Sequence, residues 1–353
     1  MTAHFSHRRG LLAAAVVLSG AAVWSVHHAL AVLGVVDLFE RRANVLTCVY
    51  GAMFLLLLWQ VGSAYLERPV RVTPRIRRRL DELRVVGIVP VYNEDAKALR
   101  ACLESMINQV RRPDMIYVVD DGSTCTDGYR EIRQWFLHAA IAAGIMPAWQ
   151  RQDNAGKRHA QATAVLVTPD ADIYWTVDSD TVSDPWALNE LLKPFADHRV
   201  QSVAGVVLAA NVRSSFLTRF TDLWFVAGQL TDRSALSVFG SVWVNSGPIA
   251  AYRAPVVRNN IHAYLNETFF GRRIPFSDDS LLTLFAMLNG RTVQQPTAFA
   301  YALMPERLGH FNRMFLRWMR GSFIRSWWRF RYLPIRSIAW WMHLVRWSQS
   351  VIA

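Results

Sequence analysis

Two long segments without charged residues, close to the N-terminus, constrain the fold of this chain more than any other feature. Residues 11–36 and 43–66 contain no Asp, Glu, Lys or Arg. Each is longer than the roughly 20 residues that a helix needs to cross the hydrocarbon core of a bilayer, and only residues 37–42 connect them. The pattern predicts a transmembrane helical hairpin over residues 1–67.

A cleaved signal peptide is the alternative interpretation of the first segment, because Arg8 and Arg9 precede it. The apolar stretch is longer than a usual signal core and a second span follows at once, which favours the hairpin. The arginines before residue 11 and after residue 66 predict that both flanks lie on the cytoplasmic side of the plasma membrane. Three cysteines without a CxxC pair also fit a reducing cytoplasm.

The positive charge of the chain is concentrated in two bands. The 39 basic and 27 acidic residues give a net charge of +12, and hydrophobic residues make up 52% of the chain. Residues 68–79 carry six arginines, and residues 307–353 carry nine arginines and no acidic residue. Basic bands beside apolar segments indicate contact with an anionic phospholipid membrane rather than with nucleic acid. We expect residues 306–353 to form amphipathic interface helices and the start of a further membrane span.

Residues 68–305 show the pattern of a cytosolic α/β domain. Runs of β-branched residues alternate with amphipathic stretches, which favours a mostly parallel, doubly wound sheet. The predicted strands are residues 85–91, 115–119, 172–177 and 202–208. The predicted helices are residues 95–110, 126–143 and 157–167.

Polar clusters follow three of the predicted strands. They are Tyr92-Asn93-Glu94-Asp95, Asp120-Asp121-Gly122-Ser123 and Asp178-Ser179-Asp180. Ligands bind beyond the carboxyl ends of the strands in such a sheet, and carboxylates gathered there repel one another unless a cation lies among them. Asp178 and Asp180 suit Mg²⁺ or Mn²⁺ bridging two phosphates. One Asp-Asp-Gly alone more often marks a turn, but three clusters at one edge argue for a site.

The sequence contains neither the glycine-rich fingerprint of dinucleotide-binding folds nor that of P-loop enzymes. Instead, Gly156, Lys157 and Arg158 lie at the start of a predicted helix, an arrangement that suits contact with phosphate. The alternative interpretation of these two cations is a solvated helix face.

Seven short motifs occur in a fixed order along roughly residues 45–335. They are Pro90-Val91-Tyr92-Asn93-Glu94, Asp120-Asp121-Gly122-Ser123, Gly156-Lys157-Arg158, Asp178-Ser179-Asp180, Asn245-Ser246-Gly247-Pro248 with Tyr252-Arg253, Ser277-Asp278-Asp279, and Arg317-Trp318. In this order they resemble the family 2 glycosyltransferases, in particular the processive membrane branch that includes hyaluronan, chitin-oligosaccharide and cellulose synthases. The resemblance to hyaluronan synthases is the strongest, and it implies a GT-A-like doubly wound mixed sheet.

The resemblance also implies a role for each matched residue. Those implied to bind substrate are Tyr92, Glu94, Asp120, Asp121, Lys157, Arg158, Gly247 and Trp318. Those implied to act in catalysis are Asp278, Asp279 and Arg317, and those implied to hold Mn²⁺ or Mg²⁺ are Asp178 and Asp180. Tyr92 and Asp121 would hold the nucleobase and ribose of a UDP-sugar, while Lys157 and Arg158 would contact the donor.

The chemistry of the last two motifs agrees with these roles. A carboxylate such as Asp279 can take the proton of an acceptor hydroxyl, and Arg317 can neutralise charge on a departing diphosphate. Trp318 offers an apolar face to a saccharide acceptor. The alternatives are a helix N-terminal position for Asp279 and interfacial anchoring for Trp318.

Met314 departs from the family pattern, because a glutamine stands three residues before the arginine in the relatives. This substitution weakens the expectation of processive polymerisation. Processive relatives also continue through further membrane helices, whereas here an apolar run begins near residue 338 and the chain ends at Ala353. We therefore expect either a truncated chain or one that cannot build a full pore alone.

Three hypotheses for function follow. The first is a membrane enzyme that transfers GlcNAc, GlcA or both from a UDP-sugar to a growing β-linked polysaccharide. The second is a non-processive transferase that makes a glycolipid or a polyprenyl-phosphate sugar. The third is an inactive homologue that acts as a membrane scaffold, against which the intact Asp178, Asp180, Asp279 and Arg317 argue.

Overall fold

The computed structural model describes residues 20, 24 and 28 and then residues 41–352. The first predicted membrane span therefore lies almost entirely outside the described residues. Helix α1, Arg41–Ala64, overlaps the second predicted span, residues 43–66. In the part of the chain that is described, no helix combines the length and the apolar composition needed to cross a membrane.

Helices and strands alternate along the rest of the described chain. The helices after α1 are α2 Pro74–Asp81, α3 Ala96–Ile107, α4 Tyr129–Ala142, α5 Lys157–Val167, α6 Ala187–Leu192, α7 Phe216–Gly228, α8 Ser234–Val238, α9 Ala254–Arg258, α10 Ile261–Leu265, α11 Asp278–Asn289, α12 Leu308–Tyr332 and α13 Ile338–Ile352. The strands are β1 Val85–Val91, β2 Met115–Asp121, β3 Met146–Gln152, β4 Ile173–Thr176, β5 Val182–Ser183, β6 Val200–Ala209, β7 Ala250–Arg253, β8 Thr268–Phe269, β9 Arg272–Arg273 and β10 Arg291–Ala302. A 3₁₀ turn follows α6 at Lys193–Ala196, and a π-helical turn follows α7 at Gln229–Arg233.

One mixed sheet of eight strands forms the centre of the fold, in the order β3-β2-β1-β4-β7-β6-β10-β5. Strand β1 pairs in parallel with β2 and β4, β2 with β3, and β6 with β10. Strand β7 is antiparallel to β4 and β6, and β5 is antiparallel to β10. The predicted α/β class with a mixed sheet is confirmed.

Strand β1 shows how the sheet is buried on both faces. Val85, Val89 and Val91 belong to a core with residues of α3, α4 and α6, whereas Val86 and Ile88 belong to a core with residues of α5, α9 and α11. Every residue of β1 is buried, because successive side chains of a strand point to opposite faces and both faces are covered by helices. The carboxyl ends of β1, β2 and β4 are therefore held rigidly at one edge.

Strand β3 was not predicted from the sequence. It lies at the edge of the sheet, most of its residues are only partly buried, and its sequence includes Pro147 and Arg151. Such an edge strand lacks the continuous apolar run that marks a central strand of a parallel sheet. Strand β2, by contrast, extends two residues beyond the predicted end, so Asp120 and Asp121 are part of the strand.

Candidate active site

The polar residues after β1 and β2 are bonded to one another. Asn93, which has a positive φ of 50°, accepts hydrogen bonds through Oδ1 from the backbone N–H groups of Thr124 at 2.7 Å and Cys125 at 3.0 Å. The buried Asp120 accepts one from Ser123 N–H at 2.9 Å. These bonds fix two of the three predicted clusters into one wall, beside which the exposed Tyr92 lies.

Asp121 holds the loop that leads into α5. Its carboxylate accepts hydrogen bonds from Gln152 Nε2 at 2.7 Å, Ala155 N–H at 3.0 Å and Gly156 N–H at 2.8 Å. Gly122 allows this loop to approach, since a Cβ there would lie 2.6 Å from the Asn154 nitrogen. Asp121 thus anchors the loop before α5, and a contact of Asp121 with ribose stays a prediction.

Lys157, at the start of α5, lies between two carboxylates. Its Nζ is 2.6 Å from Asp178 Oδ1 and 3.2 Å from Asp278 Oδ2. Burial lowers the pKa of Lys157, but the two carboxylates outweigh this effect and raise it above its ordinary value. Gly247 allows its own loop to pass close to Asp178 and Lys157, because a Cβ there would lie 3.0 Å from Asp178 Oδ2 and 3.3 Å from Lys157 Nζ.

Asp180 experiences the negative charge that the sequence predicted at this edge. Burial, and then the carboxylates of Asp178 and Glu94, raise the pKa of Asp180 to about 6. Glu94 Oε2 accepts a hydrogen bond from Ser179 Oγ at 2.8 Å, which fixes it beside the Asp178–Asp180 loop. A divalent cation would relieve this repulsion.

The donor set fits a cation that is shared with a substrate. Among the described residues, no three His, Cys, Asp or Glu side chains are grouped so that they could hold a metal by themselves. Mg²⁺ and similar hard cations are commonly bound by one or two carboxylates together with water and substrate phosphates. Asp178 and Asp180 can supply those carboxylates, provided that a diphosphate supplies the remaining oxygens.

Asp278 and Asp279 begin α11, directly after Ser277, whose φ of 59° is positive. Burial raises the pKa of Asp278, but Lys157 and then Arg158 outweigh it and lower that pKa below its ordinary value. Burial and the neighbouring charge of Asp278 raise the pKa of Asp279 to about 6. Asp279 Oδ1 also accepts the N–H of Ser280 at 2.7 Å. A carboxylate with a pKa near the working pH is suited to general base catalysis.

A large cavity of about 1620 Å³ brings most of these groups together. Among the predicted residues, it is lined by Lys157, Asp178, Asp180, Gly247, Asp278, Asp279, Arg317 and Trp318. The last two come from α12, where Trp318 packs edge-on against Phe225 with ring centroids 5.3 Å apart. Tyr92, Glu94, Asp120 and Asp121 do not line this cavity and form the neighbouring wall.

Arg158, which the resemblance implied to contact the UDP-sugar, lies in a buried ion pair. It is buried, and its guanidinium donates to Glu267 Oε2 at 2.8 Å and to the carbonyl oxygen of Tyr264 at 3.2 Å. It is not among the residues that line the cavity. The sequence could not distinguish it from Lys157, because both are cations at the start of one helix.

Arg233 is a residue of the cavity that the sequence reasoning missed. It ends the π-helical turn and donates to Gly205 O at 3.0 Å and to Ser246 Oγ at 2.6 Å. Burial lowers its pKa to about 10, while the nearby Asp279 acts in the opposite direction. A charged residue within the largely apolar stretch 223–239 was the signal that could have found it.

Comparison with known proteins assigns part of the α/β domain to a family. Residues 88–260 match the family model described as Glycosyl transferase family 2. These residues form a family 2 glycosyltransferase domain. The chain is also 36% identical over 279 residues to a hyaluronan synthase of Streptococcus pyogenes, which covers 79% of this chain and 65% of that protein. An N-acetylglucosaminyltransferase of Azorhizobium caulinodans is 35% identical over 242 residues, covering 68% of this chain and 60% of that protein.

The predicted family resemblance is thus confirmed, while the chain spans less than two thirds of the length of these curated relatives. A solved structure supports the fold of the domain that contains these residues. A mannosyltransferase from Pyrobaculum calidifontis, in complex with GDP-Man and Mn²⁺, matches with a TM-score of 0.61 and 22% identity over 88% of this chain and 83% of that one. The GT-A-like α/β fold that the resemblance implied is therefore confirmed.

Proposed function

We propose that this protein is an inverting glycosyltransferase that transfers a sugar from a UDP-sugar to a growing β-linked polysaccharide. The observation that carries the proposal is the single cavity that Lys157, Asp178, Asp279 and Trp318 line together. A transferase needs a phosphate-side cation, a base and an apolar saccharide contact around one reacting centre. These residues come from separate elements, so their meeting is a property of the fold.

GlcNAc, GlcA or both are the sugars that we propose for the donor. The proposal draws on two relatives, since one is a hyaluronan synthase and the other an N-acetylglucosaminyltransferase. They are 36% and 35% identical to this chain over the aligned residues, and the donor panel described below identifies the sugar.

Asp279 is the group that we propose as the base. Its carboxylate accepts the proton of the acceptor hydroxyl while that oxygen forms the new bond to the anomeric carbon. The bond to the UDP oxygen breaks, and UDP leaves with the electron pair. Because one displacement occurs on the face opposite the leaving group, an α-linked donor gives a β-linked product.

The leaving diphosphate is stabilised by positive charge in this proposal. Lys157 and Arg317 both line the cavity and supply fixed cations to the developing charge. Mn²⁺ or Mg²⁺, held by Asp178 and Asp180 together with the diphosphate, would neutralise further charge when it is bound. Trp318 would contact the acceptor saccharide through its ring face.

A phospholipid surface is the proposed setting for α12 and α13. Phe323, Trp327 and Trp341 are each more than half exposed on these helices, and exposed arginines such as Arg320 lie among them. Aromatic residues and arginines at one surface are typical of helices that lie in a membrane interface. Flotation with anionic and with zwitterionic vesicles tests this placement, and recovery from neither would contradict it.

A non-processive transfer to a lipid acceptor is the second candidate, and Met314 favours it. This residue lines the cavity, at the position where the family pattern has glutamine. A thioether cannot replace the hydrogen bonds of an amide. Loss of such a contact would weaken the hold on a polysaccharide between successive additions.

The deciding experiment supplies membranes with a panel of radiolabelled UDP-sugars and Mn²⁺, and measures both released UDP and product size. We expect UDP release and high-mass product from UDP-GlcNAc, UDP-GlcA or their mixture. Release with only a single-sugar lipid would support the second candidate. No release from any donor, with Asp279→Asn behaving like the parent protein, would contradict both and leave a scaffold role.

A further inference from the structure

A buried ion cluster borders the cavity of the candidate active site, which its member Arg325 also lines. It consists of Glu267, Arg158, Arg325 and Trp328 and is called the Glu267 cluster below. The side chains of its three charged members are at most 6% exposed. Glu267 Oε2 accepts from Arg158 Nη2 at 2.8 Å and from Arg325 Nη2 at 3.1 Å. Glu267 Oε1 accepts from Arg325 Nη1 and, at 2.8 Å, from Trp328 Nε1.

The two arginines of the cluster also hold the backbone just before Asp278. Arg158 Nη2 donates to the carbonyl oxygen of Phe276 at 2.5 Å, and Arg325 Nη2 donates to that of Ser277 at 3.5 Å. Arg325 Nε donates to Ser280 Oγ at 3.2 Å, on the other side of the two aspartates. Hydrogen bonds from charged donors are stronger than neutral ones, so the cluster restrains the segment that presents Asp279.

Helix α12 meets the same segment at unusually close range. A Cβ placed on Gly321 would lie 1.7 Å from Ser277 Oγ and 2.9 Å from Ser277 Cβ, so any larger residue would force Ser277 or the helix to shift. Ser277 itself has a positive φ of 59°, which is costly for a residue with a side chain unless its surroundings impose it. Gly321 lies on α12 between the cavity residue Trp318 and the cluster residue Arg325.

We propose that Glu267 is a positioning residue that fixes the separation between Asp279 and the Arg317–Trp318 segment of α12. The inference rests on the proposed function, in which Asp279 is the base and Trp318 contacts the saccharide acceptor. The Glu267 carboxylate joins α5 to α12, and its two arginine partners hold the segment before α11. Each of these three parts of the chain contributes a cavity residue. A displacement of a reacting group by ~1 Å can lower a rate by ~100-fold, so we expect the rate of transfer to depend on the hydrogen bonds of Glu267.

Glu267→Gln tests the proposal because it keeps the shape of the side chain and removes its charge. We expect the kcat of transfer to fall by ~10- to 100-fold, with Mn²⁺-dependent UDP affinity within about threefold of the parent, since a loss confined to kcat marks a group that acts on the transition state. Glu267→Asp, which retains the charge, should recover part of the loss. Rates are compared per folded molecule, at a temperature well below the unfolding midpoint.

Glu190→Gln is the matched control. Glu190 accepts hydrogen bonds from Thr297 Oγ1 at 2.6 Å and from Gln295 Nε2 at 3.0 Å, and it does not line the cavity. We expect this variant to lower the unfolding midpoint without changing kcat. An equal loss of kcat in Glu190→Gln and Glu267→Gln, or no loss in the latter, would overturn the proposal.

Two further measurements separate this inference from the proposed function. Hydrogen exchange of residues 276–281 and 314–322 should be faster in Glu267→Gln than in the parent, whether or not a donor is turned over, and unchanged exchange would overturn the inference. Gly321→Ala moves α12 away from Ser277 without altering charge, and should lower kcat in the same way. If the parent protein releases no UDP from any donor, the proposed function fails, and the exchange experiment alone decides the positioning role.

Discussion

Lys157 and Arg158 are adjacent in the sequence, yet they belong to two different ion networks. Lys157 is partly exposed, lines the cavity and pairs with Asp178 and Asp278. Arg158 is buried in the Glu267 cluster. Successive residues of a helix point about 100° apart, so one cation can face a ligand while its neighbour stabilises the fold. The difference shows that two adjacent cations of one short motif can have separate roles.

The largest effect is expected when the buried network is broken. Arg158→Met should destabilise the protein by about 3 kcal/mol, because it removes one partner from a buried carboxylate. Chemical denaturation followed by circular dichroism measures this change. Arg84→Met is the control, since its pair with Asp170 is partly exposed and is worth less than ~1 kcal/mol. Equal destabilisation by both variants would remove the distinction between the two networks.

Breaking the cavity network should instead impair activity. Lys157→Met is expected to lower kcat/KM by about 100-fold, because a fixed cation near the diphosphate is lost. The unfolding midpoint should fall less than in Arg158→Met, because Lys157 is the more exposed of the two cations. UDP release under initial-rate conditions measures the effect. Lys193→Met is the matched control, since Lys193 pairs with Glu190 away from the cavity. If Lys157→Met retains its activity, Lys157 stabilises the fold and does not act on the diphosphate.

The pH dependence of transfer sharpens the comparison further. A base acts as a carboxylate, so activity should fall as the pH falls through about 6, the value to which burial and Asp278 raise the pKa of Asp279. Well below that value the loss approaches about tenfold per pH unit. Asp180 has a pKa raised to about 6 as well, by burial and by Asp178, but its contribution should diminish at saturating Mn²⁺. A flat profile between pH 5 and 7, measured at saturating Mn²⁺, would exclude Asp279 as the base.

The smallest effect is expected from the aromatic residues of α12. Trp318→Ala should raise the KM for a saccharide acceptor by about fivefold, which corresponds to the loss of about 1 kcal/mol of aromatic contact. Trp328→Phe removes the hydrogen bond to Glu267 and should leave the acceptor KM unchanged while lowering stability. A raised acceptor KM in Trp328→Phe together with an unchanged one in Trp318→Ala would contradict the roles given to these two tryptophans.

Much of the central sheet could be predicted because its strands are buried on both faces. Strand β1 and helix α5 have the bounds that the sequence predicts, since a buried strand must be a continuous apolar run. The edge strand β3 escaped prediction because partly exposed residues need not be apolar. Asp121 was predicted to bind substrate, yet its carboxylate already accepts three hydrogen bonds from the loop before α5.

The sequence by itself determined the family, the α/β class and which residue types gather at the carboxyl edge of the sheet. Those properties depend on local order along the chain, on hydrophobic periodicity and on motif spacing. Only the tertiary structure decided which cation of Lys157–Arg158 faces the cavity, that Arg233 lines the same cavity as Asp279, and that Glu267 joins α5 to α12. These contacts link residues far apart in sequence, and only packing and burial determine which charged groups become partners.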